Sequence, residues 1–111
     1  MCSFCRMAIS EKRWAAEVVD REGAVFKFDD IGCMVRYLTE RSSRERAAAI
    51  FVMDYPAGRW LDAAAGLYVQ SGEIPSPMSG GLAAFADRSQ AAQLAAQRHG
   101  RILGFEDLWR K

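Results

Sequence analysis

The residues of this chain best placed to do chemistry are sulfur donors. MCSFCRM (1–7) sets Cys2 and Cys5 as a C-x-x-C pair, with Met7 two residues beyond, and Met78 stands far away in SGEIPSPMSGG (71–81). That second stretch carries prolines, glycines and serines without periodicity, so it reads as a loop, where a buried-core role for a methionine is least expected. Thiolate and thioether sulfurs are soft ligands that select Cu(I) over harder cations at low coordination number. C-x-x-C alone also opens zinc ribbons and redox pairs. A ribbon needs a second C-x-x-C or a Cys/His pair, and the chain has left only Cys33 and His99. A thioredoxin-like pair sits at a helix N-terminus after a strand, and no strand is read before Cys2.

Each of these residues also has a plainer role. Cys5 and Cys2 could be idle or disulfide-paired thiols, Met78 a hydrophobic plug that holds its loop down, and Met7 a core residue entering a strand. Cys33 and Met34 fall on the first turn of a helix and read as packing. His99, beside a helix-ending glycine, reads as a surface residue serving the helix dipole. Asp29 and Asp87 are better explained as N-caps than as catalytic acids. Trp60, Tyr68 and Phe85 read as core that could also shield a site.

The 111 residues, half of them hydrophobic, fit one domain (1–111) large enough to bury a core without a metal or disulfide framework. A metal here is therefore expected as cargo rather than scaffold. Fifteen basic against fourteen acidic residues leave a net charge of +1, spread along the chain, which speaks against nucleic acid as a partner. The longest apolar runs, such as AAAIFVMDY, are too short to cross a bilayer, so the chain as given is expected to be soluble, with a removed leader possible before Met1. Three cysteines do not close a disulfide framework. A single histidine leaves little for general acid–base work, and SGG lacks the lysine and helix of a P-loop, so no enzyme is expected.

The elements that must position the sulfurs follow from pattern. WAAEVVD (14–20), the turn REG and AVFKFDD (24–30) predict a hairpin. Ile31, Met34, Val35 and Leu38 predict an amphipathic helix behind Asp29 or Asp30, running to about residue 42. AAAIFVMDY predicts a buried strand, RWLDA and GLYVQ two short extended segments, and LAAFA another strand. A second helix runs from Asp87 or Ser89 to His99, with Gly100 as the C′ residue. RILGF is a last strand and EDLWRK a terminal turn. FKFDDIGCMVRYLTE…AIFVMDY and AAFADRSQAAQLAAQ…RILGFEDL share one grammar: a strand ending in Phe, an acid-capped helix, a returning strand. This predicts an α+β fold of two similar ββαβ-type units, about 8–55 and 59–109, mostly antiparallel, with two helices. A loop from each half can then meet at a shared site.

FCRM, FDDIGCM, IFVMDY…RWLDA…YV and PMSGGLAAF, in this order over nearly the whole chain, together resemble the NosL family of copper-binding accessory proteins of nitrous oxide reductase maturation. The resemblance implies two ββαβ-type units, a Cu(I) cargo, and delivery to a copper enzyme or delivery partner. It also implies a lipoprotein on the periplasmic face of the envelope, although no lipid anchor is visible in this chain. The family's Cys-x-Met falls on Cys5 and Met7, and its loop methionine on Met78; Cys2 is present in only some versions of the motif. The expected carrier holds one Cu(I) through Cys5 and Met78, helped by Met7 or Cys2. Two other readings stay open: a thiol-disulfide protein using Cys2 and Cys5, and a metal-free module docking a protein near Trp60.

Overall fold

The computed structural model describes residues 2–4, 12–41, 44–75 and 81–109. Cys5, Met7, Met78 and the expected start of the first unit near residue 8 lie outside the described residues. The elements are β1 (Ala16–Asp20), β2 (Val25–Phe28), α1 (Ile31–Glu40), β3 (Ala47–Met53), β4 (Trp60–Asp62), β5 (Leu67–Gln70), β6 (Leu82–Phe85), α2 (Arg88–Gln97) and β7 (Arg101–Leu103). Short 3₁₀ turns precede β1 and β3, join β4 to β5, and follow β7. The strands form two antiparallel sheets, ordered β2-β1-β3-β4 and β6-β5-β7. In both, the first strand of the unit lies in the middle, with its hairpin partner on one side and the strand that follows the helix on the other. The expected α+β fold of two ββαβ-type units is therefore the architecture found, except that β4, placed by the expected bounds at the start of the second unit, is instead an edge of the first sheet.

Each unit folds for a readable reason. Asp20 closes the β1–β2 turn, its carboxylate accepting from the amides of Glu22 and Ala24 at 2.9 and 2.8 Å. In α1, Ile31, Met34 and Leu38 line one buried face and pack with Phe28, Val18 and Val52 into a first core. Burial of side chains of this size stabilises by about 1.5–3 kcal/mol each. Helix α2 is leaner: Ala91 is its fully buried residue, and half-buried Leu94 and Ala95 rest on a second core of Trp14, Val69, Ile74, Ala83 and Phe85. Strand β6 serves both cores because its side chains alternate between faces: Leu82 and Ala84 enter the first, Ala83 and Phe85 the second. The Tyr55 amide donates to the Ala84 carbonyl at 2.8 Å, and the Asp54–Ala84 bridge links β6 to the segment after β3.

Three expectations change. The N-cap of α1 is Asp30, whose carboxylate accepts from the Gly32 amide at 2.7 Å, so Asp29 does not cap. Helix α2 is capped by Asp87, which accepts from Ser89 at 3.0 Å, but it ends at Gln97 with Arg98 as C-cap, and the left-handed residue is His99 (φ 53°), not Gly100. Gly100 instead donates to Ala95 at 2.8 Å, closing the helix end, and it is needed where a Cβ would stand 2.8 Å from the Gln70 carbonyl. Trp60 is 48% exposed on strand β4 rather than core, whereas Tyr68 and Phe85 are buried.

Candidate metal centre

Of the four sulfur residues singled out by sequence, Cys2 is the one that lies among the described residues. The Ser3 amide donates to the Lys27 carbonyl at 2.7 Å, which lays the N-terminal segment against β2. Cys2 is thereby driven into the first core with no exposed surface, in one cluster with Phe28, Ile31, Met34 and Leu82. The chain immediately after β2 supplies the neighbouring groups. Phe28 ends the strand, Asp29 follows, Asp30 caps, and Cys33 stands on the first turn of α1. Asp30 makes the cap, and Asp29 beside it is buried as well. The Cys2 and Cys33 thiols and a carboxylate oxygen of Asp29 all lie within 4.8 Å of one another, each residue buried. Cys33 is core, as its place on the helix predicts, but it is also half of a thiol pair that sequence reasoning missed. The available signal was Asp-Asp before a helix that needs one cap. Met34 packs in the core as expected.

The loop that carries Met78 is also defined at its base. It connects β5 and β6, and beyond the last ladder pair, Gln70 and Leu82, the Ser71 amide still donates to the Gly81 carbonyl at 2.9 Å. It is thus the hairpin loop of the second unit, in the place that the REG turn holds in the first. Gly81 has φ +67°, and a Cβ there would lie 2.5 Å from the Ser71 carbonyl oxygen, so both backbone conformation and space demand glycine. The Ser71 hydroxyl ties this base to α2 by donating to the Arg98 carbonyl at 2.5 Å, one of the carbonyls that a helix end leaves without a partner. His99, beside it, is largely exposed and meets Glu73 at 2.8 Å, consistent with its expected surface role. Cys2 of the N-terminal segment and Leu82, the first strand residue after the loop, thus belong to the same core cluster.

Among the described residues, no helix is long and apolar enough to cross a membrane. The model of the NosL family matches residues 1–111, the full chain. The chain is 28% identical over 116 aligned positions to the copper-binding lipoprotein NosL of Stutzerimonas stutzeri, covering 96% of this chain. It spans 60% of the length of that curated relative. The crystal structure of the copper chaperone NosL from Shewanella denitrificans has the same fold: TM-score 0.84 at 17% identity, covering 96% of this chain and 87% of that one.

Proposed function

The chain belongs to the NosL family, and from that premise we propose that it is a Cu(I) carrier. The copper-binding and chaperone roles named for its relatives support this reading. The observation that carries it is the shared core cluster of Cys2 and Leu82. Cys5 follows Cys2 by three residues and Met78 precedes Gly81 by three, and three extended residues span at most about 11 Å. Each of the two sequence-distant sulfurs therefore stands within a few residues of a position in the same core cluster. The copper is held by Cys5 with Met78, helped by Met7 or Cys2.

With Met7 as the helper, one thiolate and two thioethers make a soft, low-coordinate site with no net charge on the Cu(I)–thiolate unit. Low coordination leaves room for an incoming donor from the recipient, so copper passes by ligand exchange: a new bond forms before the last sulfur leaves. The protein acts without catalytic turnover and delivers to a copper enzyme such as nitrous oxide reductase, from a lipid-anchored position on the periplasmic face of the envelope.

The thiol-disulfide reading gains no support, since Cys2 is buried and a redox-active thiol needs access. Anaerobic Cu(I) titration against a competing chelator tests the proposal on wild type, Cys5→Ser and Met78→Ala. One equivalent bound tightly by the wild type, and binding at least tenfold weaker in each variant, is expected; equal stoichiometry and affinity in all three rules the site out.

A further inference from the structure

We propose that Cys2, Cys33 and Asp29 form a second metal site, separate from the copper donors, for a divalent thiophilic cation of the zinc class. Its three donor atoms already lie within 4.8 Å of one another. Tetrahedral bonds of about 2.3 Å to sulfur and about 2.0–2.2 Å to oxygen place sulfurs about 3.8 Å apart and sulfur and oxygen about 3.6 Å apart. The cluster therefore needs to contract by no more than about an ångström to bind, with one donor on the N-terminal segment and two on the stretch that runs from β2 into α1.

The donor chemistry separates this cluster from the copper ligands. A carboxylate oxygen is a poor partner for Cu(I) and an ordinary one for Zn(II), whereas a thioether is the reverse. The chain places its methionine donors in one set and its carboxylate in the other. Three potentially anionic groups buried together also favour a doubly charged cation over a singly charged one. Cys2 then belongs to the divalent site, and Cys5, Met7 and Met78 remain for copper.

Comparison of the two units indicates that the fold itself does not require these donors. When the caps Asp30 and Asp87 are set in correspondence, Asp29 falls on Ala86 and Cys33 on Gln90, both exposed. The second unit keeps the strand-ending phenylalanine, the cap and the helix, and has neither thiol nor carboxylate at those positions. In the first unit the same positions are buried beneath the N-terminal segment that brings Cys2. Binding there joins that segment to the first turn of α1.

The three donors do not rest on the copper reading; their separateness from the copper site does, and the Cys5→Ser and Cu(I) arms of the test address that alone. Reduced full-length protein is titrated anaerobically with Co(II) as an optical probe, followed by Zn(II). The expected result is one Co(II) per chain with a near-ultraviolet thiolate charge-transfer band and tetrahedral visible bands, all bleached by one equivalent of Zn(II). Cys33→Ser halves the charge-transfer intensity; Asp29→Asn, nearly isosteric and the safer variant for folding, weakens Co(II) binding about tenfold or more. Cys5→Ser leaves the spectrum unchanged, and so does preloading with one equivalent of Cu(I). Circular dichroism checks that each variant is folded. The proposal is overturned by no charge-transfer band in the wild type, by a full band in Cys33→Ser, or by its loss on Cys5→Ser or Cu(I) preloading.

Discussion

Tyr68→Phe removes one oxygen at the place where the two units are joined. The Tyr68 hydroxyl is buried and donates to the Ala63 carbonyl at 2.6 Å, tying β5 to the turn that follows β4. Because the Ala63 carbonyl also accepts from the Gly66 amide at 3.2 Å, it keeps one partner in the variant. The loss at neutral pH therefore falls near the usual value for one hydrogen bond, about 1 kcal/mol, rather than the larger penalty of an orphaned carbonyl. For 111 residues this lowers Tm by about 4 °C. The phenol pKa is raised well above its usual value, first by burial and then by the nearby Asp62 charge. The folded state thus holds this proton where the unfolded chain releases it, and the contribution, complete below pH about 10, declines as pH rises. The decline approaches about 1.4 kcal/mol per pH unit, so wild type and Tyr68→Phe become equally stable near pH about 10.7, and the variant is the more stable above it. Urea unfolding of both reduced proteins from pH 7 to about 11 measures this as a changing difference in midpoint at constant m. A difference that stays constant across that range, or is absent at pH 7, would refute the assignment of the buried hydroxyl.

Three further outcomes are expected. Asp30→Ala and Asp87→Ala remove matching caps in different surroundings, and buried Asp30 is expected to cost about 2 kcal/mol against about 1 for exposed Asp87, read by urea unfolding. Gly81→Ala forces a Cβ onto the Ser71 carbonyl and a side chain into left-handed backbone; it should destabilise by about 1–3 kcal/mol and, by moving the base of the Met78 loop, weaken Cu(I) binding in a chelator competition. Gly100→Ala meets the Gln70 carbonyl at 2.8 Å and the Ser71 Cβ at 3.1 Å, the base of the same loop, and should both lower Tm and weaken Cu(I) binding in the chelator competition.

Local patterns carried much of the fold. Alternating residues in 16–20 and 25–28 became the hairpin, and the Ile31, Met34, Leu38 stripe became the buried face of α1. Where the pattern was ambiguous, local hydrogen bonds and close approaches decided. Asp29 and Asp30 are equally good caps by type, but only one can accept from Gly32 at the start of this helix. Gly100 looks like the left-handed residue by type, but the approach of Gln70 requires glycine there and leaves the positive φ to His99. Trp60 reads as core by residue type, yet on the edge strand β4 it is half exposed.

By itself the sequence determined which chemistry is available and what the units are: soft sulfur donors ahead of the first unit and inside the second, in a paired grammar of strand, capped helix and strand. These are local properties, set by side-chain type, by periods of two and 3.6, and by caps within a few residues. Only the tertiary structure decided which groups share a site. Cys2 and Cys33 are related by no local period, and they meet because Ser3 hydrogen-bonds to β2 while the chain turns at Asp29–Asp30 into α1. Side-chain proximity across such a span depends on how sheet, helix and terminal segment pack together, a property of the whole core.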